Sequence, residues 1–164
     1  MIPELVIAEE KHTELIQNLM QFYIYDFSEF VDLDVNLNGL YDPYSGIDLY
    51  FSETNQRFAY LIKENNKYIG FALVRIINAA DSPHFSIAEF FIMKKYRRSG
   101  RGKTIATKIF AMHQGDWEIY QKLKNRPAFL FWKKTIEEFT GGRFSERTED
   151  GKTIQNFNTR HIHH

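Results

Sequence analysis

The stretch from Ser86 to Met112 restricts the fold of this chain more than any other. An apolar, strand-like run, Ser86-Ile87-Ala88-Glu89-Phe90-Phe91-Ile92-Met93, leads through Lys94, Lys95 and Tyr96 into the turn Arg97-Arg98-Ser99-Gly100-Arg101-Gly102. An amphipathic helix is predicted to leave that turn from about Lys103. Between Glu89 and Asp116 there is no acidic residue, while Lys94, Lys95, Arg97, Arg98, Arg101, Lys103 and Lys108 crowd the turn. A helix start of this kind presents backbone N–H groups and the positive end of a dipole, which is what a phosphate or pyrophosphate needs. Strand, turn and helix together read as an anion site.

Two familiar phosphate motifs fail here. Gly102-Lys103-Thr104 matches the end of G-x-x-x-x-G-K-[ST], but the position of the first glycine is Arg97. No later strand ends in the apolar run plus aspartate that would hold Mg²⁺ for a nucleoside triphosphate. A dinucleotide turn needs G-x-G-x-x-G, of which only the first two glycines are present. A basic turn with no ligand is the remaining alternative, and mutual repulsion among its cations speaks against it.

At 164 residues and 43% hydrophobic, the chain is long enough for one well-buried core. A single domain over residues 1–158 is expected, with 159–164 a disordered, histidine-containing tail. No apolar run reaches membrane-spanning length, and Met1-Ile2-Pro3-Glu4 lacks the basic start and apolar stretch of a signal peptide. A cytoplasmic protein with no membrane partner is expected. The absence of cysteine excludes disulfides, thiolate metal sites and a cysteine nucleophile.

The formal net charge of zero conceals a separation. From Thr13 to Gln56 there is no Lys, Arg or His, whereas Glu14, Asp26, Glu29, Asp32, Asp34, Asp42, Asp48 and Glu53 are acidic. One part of the chain attracts cations and another attracts anions, unless both are ordinary solvated faces. The basic block is local and no recognition motif accompanies it, so nucleic acid is not an expected partner.

Hydrophobic spacing orders the elements. Glu4 to Ala8 predicts a first strand, and Leu15, Leu19 and Phe22 beside Ile16, Met20, Tyr23 and Phe27 keep the spacing of a first helix. The segment from Asp32 to Tyr50, with Asn38-Gly39 and Asp42-Pro43, is expected to hold a loop and a short helix. Arg57 to Lys63 and Lys67 to Ile77 predict a hairpin through Asn65-Asn66, residues that tolerate positive φ. Asp81-Ser82-Pro83 is read as a break before the strand that carries Glu89. Beyond Gly102, Ile105, Ile109 and Met112 share a helix face with Ala106, Phe110 and His113. Trp117 to Gln121 reads as a short buried strand. Pro127 to Thr140 reads as a helix with Phe129, Trp132, Ile136 and Phe139 inward, stopped by Gly141-Gly142. Arg143 to Thr148 and Lys152 to Asn158 predict a terminal hairpin around Asp150-Gly151. The order βα(α)ββ, βαβα, ββ describes a mixed sheet flanked by helices rather than a doubly wound nucleotide fold.

Phe90-Phe91-Ile92, the spacer Met93 to Tyr96 and then Arg97-x-x-Gly100-x-Gly102 resemble the [RQ]-x-x-G-x-[GA] signature of the GNAT superfamily of acyl-CoA N-acyltransferases. Downstream, Asn125-x-x-Ala128-x-x-Phe131-Trp132-x-Lys134 resembles the superfamily's N-x-x-A-x-x-F-Y-x-K segment. The element order agrees from Glu4 to about Phe157. The resemblance implies an α/β (α+β) fold with a mixed, mostly antiparallel central sheet of six to seven strands and about four helices. It also implies an N-acetyltransferase that uses acetyl-CoA (coenzyme A) and no metal. Two departures stand out. Trp132 occupies the position of the tyrosine that often serves as general acid, and the G-F pair expected soon after Lys134 is absent.

By that resemblance, the backbone from Arg98 to Gly102 cradles the coenzyme A pyrophosphate, with Arg97, Arg98, Ser99, Gly100, Arg101, Gly102 and Lys103 as cofactor-binding residues. Pantetheine is implied along Phe91 and Ile92, where a backbone N–H polarises the thioester carbonyl, and Asn125 is implied near the pantetheine arm. Asn125 has an equally good alternative as the cap of the helix before Pro127. The acceptor pocket is implied at the first helix and the following loop, which makes Tyr23, Asp26 and Phe27 substrate-binding candidates for a cationic small-molecule or peptide amine. The same aromatic side chains also suit a core.

Amine attack needs loss of a proton near neutral pH, and Glu89 is the candidate base. It is the ionisable side chain in the otherwise apolar run from Ser86 to Met93, where burial is expected to raise its pKa. The alternative is a carboxylate facing solvent or paired with Arg75. His113 is expected to be packed rather than catalytic, and His161, His163 and His164 to belong to a tail rather than a metal site. An idle acyl-CoA-binding module on the same fold is the rival reading, suggested by Trp132. A homodimer is left open.

Overall fold

The computed structural model describes residues 2–79 and 82–162. Its elements follow the expected order: β1 (Glu4–Ile7), α1 (Thr13–Phe27), α2 (Leu49–Ser52), β2 (Arg57–Glu64), β3 (Lys67–Ala79), β4 (Ser82–Ile92), α3 (Arg101–Met112), β5 (Asp116–Lys122), α4 (Arg126–Thr140), β6 (Ser145–Glu149) and β7 (Lys152–Asn158). The strands form a seven-stranded sheet in the order β1-β2-β3-β4-β5-β7-β6. β1 runs antiparallel to β2, with Glu4 opposite Lys63 and Ile7 opposite Tyr60. β5 joins β4 in parallel, with Phe85 opposite Trp117. The mostly antiparallel, mixed α/β architecture is the expected one. Among the described residues no helix is long and apolar enough to cross a membrane.

The chain forms two compact units, one of residues up to Leu73 together with Glu89–Arg97, the other of Val74–Ala88 together with Arg98 onward. In the first, α1 buries Ile16, Leu19 and Met20, the stripe that its spacing predicts. Phe22, at the margin of that stripe, is instead exposed. Tyr23 packs edge-on against Phe71 and Phe91, with ring centroids 5.8 and 5.9 Å away, and lies 5.9 Å from Phe27. The β2–β3 turn takes the left-handed conformation at Asn65 (φ 52°) and Asn66 (φ 61°), the backbone of a tight hairpin. The long loop after α1 is fastened by two glutamines one helical turn apart. Gln21 exchanges two hydrogen bonds with the backbone of Tyr41, at 2.9 and 3.0 Å, and Gln17 does the same with Tyr44. The backbone N–H and C=O groups of Tyr41 and Tyr44 are thereby satisfied without a strand partner.

Gly70 marks a close approach inside the first unit. A Cβ at this position would stand 2.0 Å from the carbonyl oxygen of Phe91 and 3.1 Å from Cα of Ile92. The obstructing atoms are backbone, so no rotamer change relieves the clash. Gly70→Ala is expected to destabilise the fold by about 2 kcal/mol or more, roughly 4–8 °C in Tm. A thermal melt of the variant within a degree of wild type would contradict this packing.

In the second unit, α3 and α4 bury Ile105, Ile109, Phe110, Trp132, Ile136 and Phe139. Phe110 is the hub, with Trp117, Phe157, Phe139 and Trp132 at 4.9, 5.1, 5.3 and 6.3 Å between ring centroids. Met112, expected on the inward face of α3, is exposed. Gly141 ends α4 in the left-handed conformation (φ 63°) that a C-terminal glycine supplies. The terminal hairpin turns at Asp150 and Gly151 (φ 50° and 73°), as its sequence predicts.

Some boundaries differ from expectation. α3 begins at Arg101 instead of Lys103, because Gly100 supplies a left-handed N-cap. β4 begins at Ser82, so Pro83 lies within its first residues, a place in a strand where a missing N–H is tolerated; Asp81 lies outside the described residues. β5 alternates buried and exposed side chains instead of being buried throughout. Thr159, placed in the tail by its position, is buried: its N–H donates to the Gly115 carbonyl at 2.9 Å, and its hydroxyl accepts from the Gly115 N–H at 3.0 Å. His163 and His164 lie outside the described residues.

Candidate functional site

The turn after β4 is built on a backbone that few sequences allow. Arg97 is extended (φ −81°, ψ 168°), Arg98 is left-handed (φ 61°), and Gly100 is left-handed again (φ 82°) as the residue that opens α3. A Cβ at Gly100 would meet nothing within 4 Å, so glycine is needed there for its φ and not for space. Arg98, like Asn65, Asn66 and Asp150, is a non-glycine residue at positive φ, a conformation that costs about 1–3 kcal/mol.

α3 and α4 start differently. At α4, the Asn125 side-chain oxygen accepts from the Ala128 N–H at 3.1 Å, and Pro127 follows in the first turn. At α3 no side chain caps the start, and the Thr104 N–H donates to the Gly100 carbonyl at 3.0 Å as the first helical bond. The amides of Gly102 and Lys103 therefore have no acceptor within the helix, the condition under which a helix start receives an anion. Asn125 caps α4 through its side-chain oxygen.

The cations around this turn are not equivalent. Arg97 donates through Nη2 to the Asp26 carboxylate and through Nε to the Ile92 carbonyl, and its guanidinium lies 5.4 Å from the Phe91 ring centroid. Lys94 Nζ lies 3.6 Å from the same carboxylate. Lys103 pairs with Glu138, whose carboxyl is held below the usual range by that hydrogen bond. The Arg98 side chain is exposed and has no intramolecular partner among the described residues.

Glu89, expected to be buried, is half-buried on β4. Phe91 and Ile92, two and three positions on, are buried, and the Met93 N–H donates to the Ile69 carbonyl at 2.8 Å. Arg75 Nε is buried without a hydrogen-bond partner among the described residues. Of the acceptor candidates, Tyr23 and Phe27 are half-buried in the aromatic cluster of α1, and Asp26 is engaged by Arg97 and Lys94. His113 is packed: its ring lies 5.3 Å from Phe85, burial pushes its imidazole below the usual range, and its carbonyl accepts from Trp117 Nε1 at 2.8 Å. Trp132 is a core residue, 8% exposed, so its indole lies within the aromatic cluster. Among the described residues no group of His, Asp and Glu side chains is arranged to hold a metal ion.

The Asp26–Arg97 pair and the Gln17 and Gln21 clamps were not foreseen. A pair of glutamines at helical spacing beside a turn-rich loop is a signal only in retrospect, because its partners are backbone groups.

A family model for the acetyltransferase (GNAT) family matches residues 16–136. No curated protein matches the sequence. Solved structures with similar folds include the paiA N-acetyltransferase from Thermoplasma acidophilum in complex with coenzyme A: 17% identity, 96% of this chain and 99% of that one covered, TM-score 0.60. Naa50 from Arabidopsis thaliana, in complex with the bisubstrate analogue CoA-Ac-MVNAL, shows 13% identity over 95% of this chain and 97% of that one, TM-score 0.60. A spermidine N-acetyltransferase chimera, SpeG from Vibrio cholerae with hSSAT, shows 13% identity over 97% and 96%, TM-score 0.61.

Proposed function

Because the chain belongs to the GNAT acetyltransferase family, we propose that it is an N-acetyltransferase that moves an acetyl group from acetyl-CoA directly to an amine, with Glu89 as the base. The observation that carries this is the uncapped start of α3 behind a left-handed Gly100, beside the exposed Arg98. In this reading amides 98–103 and the Arg98 and Arg101 guanidiniums receive the phosphates of coenzyme A, and the Phe91–Ile92 backbone and the Asn125 amide nitrogen are assigned to its pantetheine arm. When bound, acetyl-CoA supplies the acyl group as an activated thioester.

A cationic amine loses two protons on the way to the amide: Glu89 takes the one whose loss frees the nitrogen lone pair for attack, and the second leaves the nitrogen for water or the departing sulfur after the nitrogen has bonded to the acyl carbon and as the carbon–sulfur bond breaks. A half-buried carboxylate on a strand is held in place yet accessible to a substrate or one water. A backbone N–H of the Phe91–Ile92 segment offers a hydrogen bond to the oxygen on which charge develops. Trp132 has no hydroxyl to protonate the sulfur. A thiol with a pKa near 8.5 departs as thiolate, so the reaction proceeds without that acid.

The acceptor in this reading is a cationic amine. The stretch from Thr13 to Gln56 without a base supports it, since Asp32, Asp34 and Asp42 stand exposed in the loop after α1. The test is acetyl-CoA turnover with spermidine, a lysine-bearing peptide and a peptide with a free α-amine, with products read by mass spectrometry. Acetylation of at least one amine above the uncatalysed rate is expected. Coenzyme A binding with no transfer and no thioester hydrolysis would make the chain an idle acyl-CoA-binding module.

A further inference from the structure

Asp26 closes α1, and its carboxylate holds two cations from the segment that follows β4: Arg97 through Oδ2 and Lys94 at 3.6 Å from Oδ1. The Arg97 guanidinium is thereby fixed from three directions, by the Asp26 carboxylate, by the Ile92 carbonyl that Nε reaches, and by the Phe91 ring beneath it. A planar fork with fixed donor directions can satisfy all three at once, which a lysine ammonium cannot. The Ile92 carbonyl, at the last residue of β4, accepts from this side chain. Immediately after Arg97 the chain enters the left-handed residue Arg98, a conformation that surrounding structure must enforce.

From this geometry we propose that Asp26 is a positioning residue for the anion-binding turn: through Arg97 it fixes the backbone at the turn's entry, so that amides 98–103 are presented in one arrangement. The inference rests on the reading that this turn receives the coenzyme A phosphates. It gives Asp26 a task other than binding the acceptor, and it makes Arg97 a structural clamp instead of a phosphate ligand.

The sign of one effect separates this role from simple charge balance. Removing the Asp26 carboxylate releases two cations near the turn, so charge alone predicts tighter binding of an anion. Loss of positioning predicts weaker binding. Asp26→Ala is therefore expected to raise the Kd for coenzyme A about tenfold despite the gained positive charge. Arg97→Ala should do the same, and the double variant should be no worse than either single one, because the two residues act as a unit. In the ligand-free protein, amide hydrogen exchange at Thr104, whose N–H is bonded to the Gly100 carbonyl, and at the helical amides that follow it in the first turns of α3 should quicken about tenfold or more in each variant, with the α4 and β7 amides unchanged. Tighter or unchanged coenzyme A binding in Asp26→Ala, additive effects in the double variant, or exchange accelerated uniformly along the chain would each overturn the proposal. If wild type itself bound no coenzyme A, the cofactor reading would fail, while the exchange comparison would still decide whether Asp26 positions the turn.

Discussion

Glu89→Gln is expected to lower kcat/KM for acetyl transfer by about 10² or more, within the range for loss of a general base. The substitution keeps the shape of the side chain and removes its ability to take a proton. The acidic limb of the pH–rate profile should disappear with it, because that limb reports protonation of the base. Coenzyme A affinity should be nearly unchanged, since no part of the turn after β4 is altered. Near-wild-type turnover with the same pH profile on a good amine substrate would remove Glu89 from the mechanism. The base would then have to be a carboxylate acting through water, with the exposed acids of the loop after α1 the first to examine.

The second large effect is expected at Gly102. Gly100 is a poor test position, because any side chain there is strained by a φ of 82° whatever the ligand does. Gly102 lies inside the first turn of α3, where a helical backbone accepts valine at a cost of about 1 kcal/mol or less relative to other residues. Gly102→Val should therefore fold. Its branched side chain sits beside amides that have no helical acceptor, and it should weaken coenzyme A binding at least about tenfold, or 1.4 kcal/mol. Equal affinity in a folded variant would mean that the phosphates are held elsewhere.

Much of the fold was legible because it is written in local chemistry. Asn65-Asn66 and Asp150-Gly151 specify hairpin turns through residues that tolerate positive φ, and both turns adopt it. The stripes Ile16-Leu19-Met20 and Ile105-Ile109 are buried as their spacing requires. Misreadings fall where a local rule has an edge. Phe22 and Met112 lie at the border of an apolar stripe, where one side chain's rotation decides between core and solvent. Pro83 reads as a breaker but starts a strand, because only the interior of a sheet forbids it.

What lay beyond the sequence is tertiary. Asp26 and Arg97 are 71 residues apart, and no periodicity links an acid at a helix end to an arginine after a strand. The basic turn looked like a pool of seven equivalent cations; in the structure Lys94 and Arg97 share one carboxylate and Lys103 is paired with Glu138. Charge counted along a chain overstates the field at a site, because neutralising partners come from elements that the count does not bring together. Gly70 is a further case. A glycine in the middle of a strand signals close approach in general, but only the fold shows that the neighbour is the Phe91 carbonyl.

Thermal unfolding with and without ligand tests most directly whether the turn after β4 is a coenzyme A site. At about a hundred times its Kd, a ligand that binds only the native state adds about 2.7 kcal/mol, which for a chain of this size is roughly 5–10 °C in Tm. Coenzyme A and acetyl-CoA are expected to give a saturable shift of this order, and ATP with Mg²⁺ at the same concentration a much smaller one. A larger shift with ATP and Mg²⁺ than with coenzyme A would contradict the account.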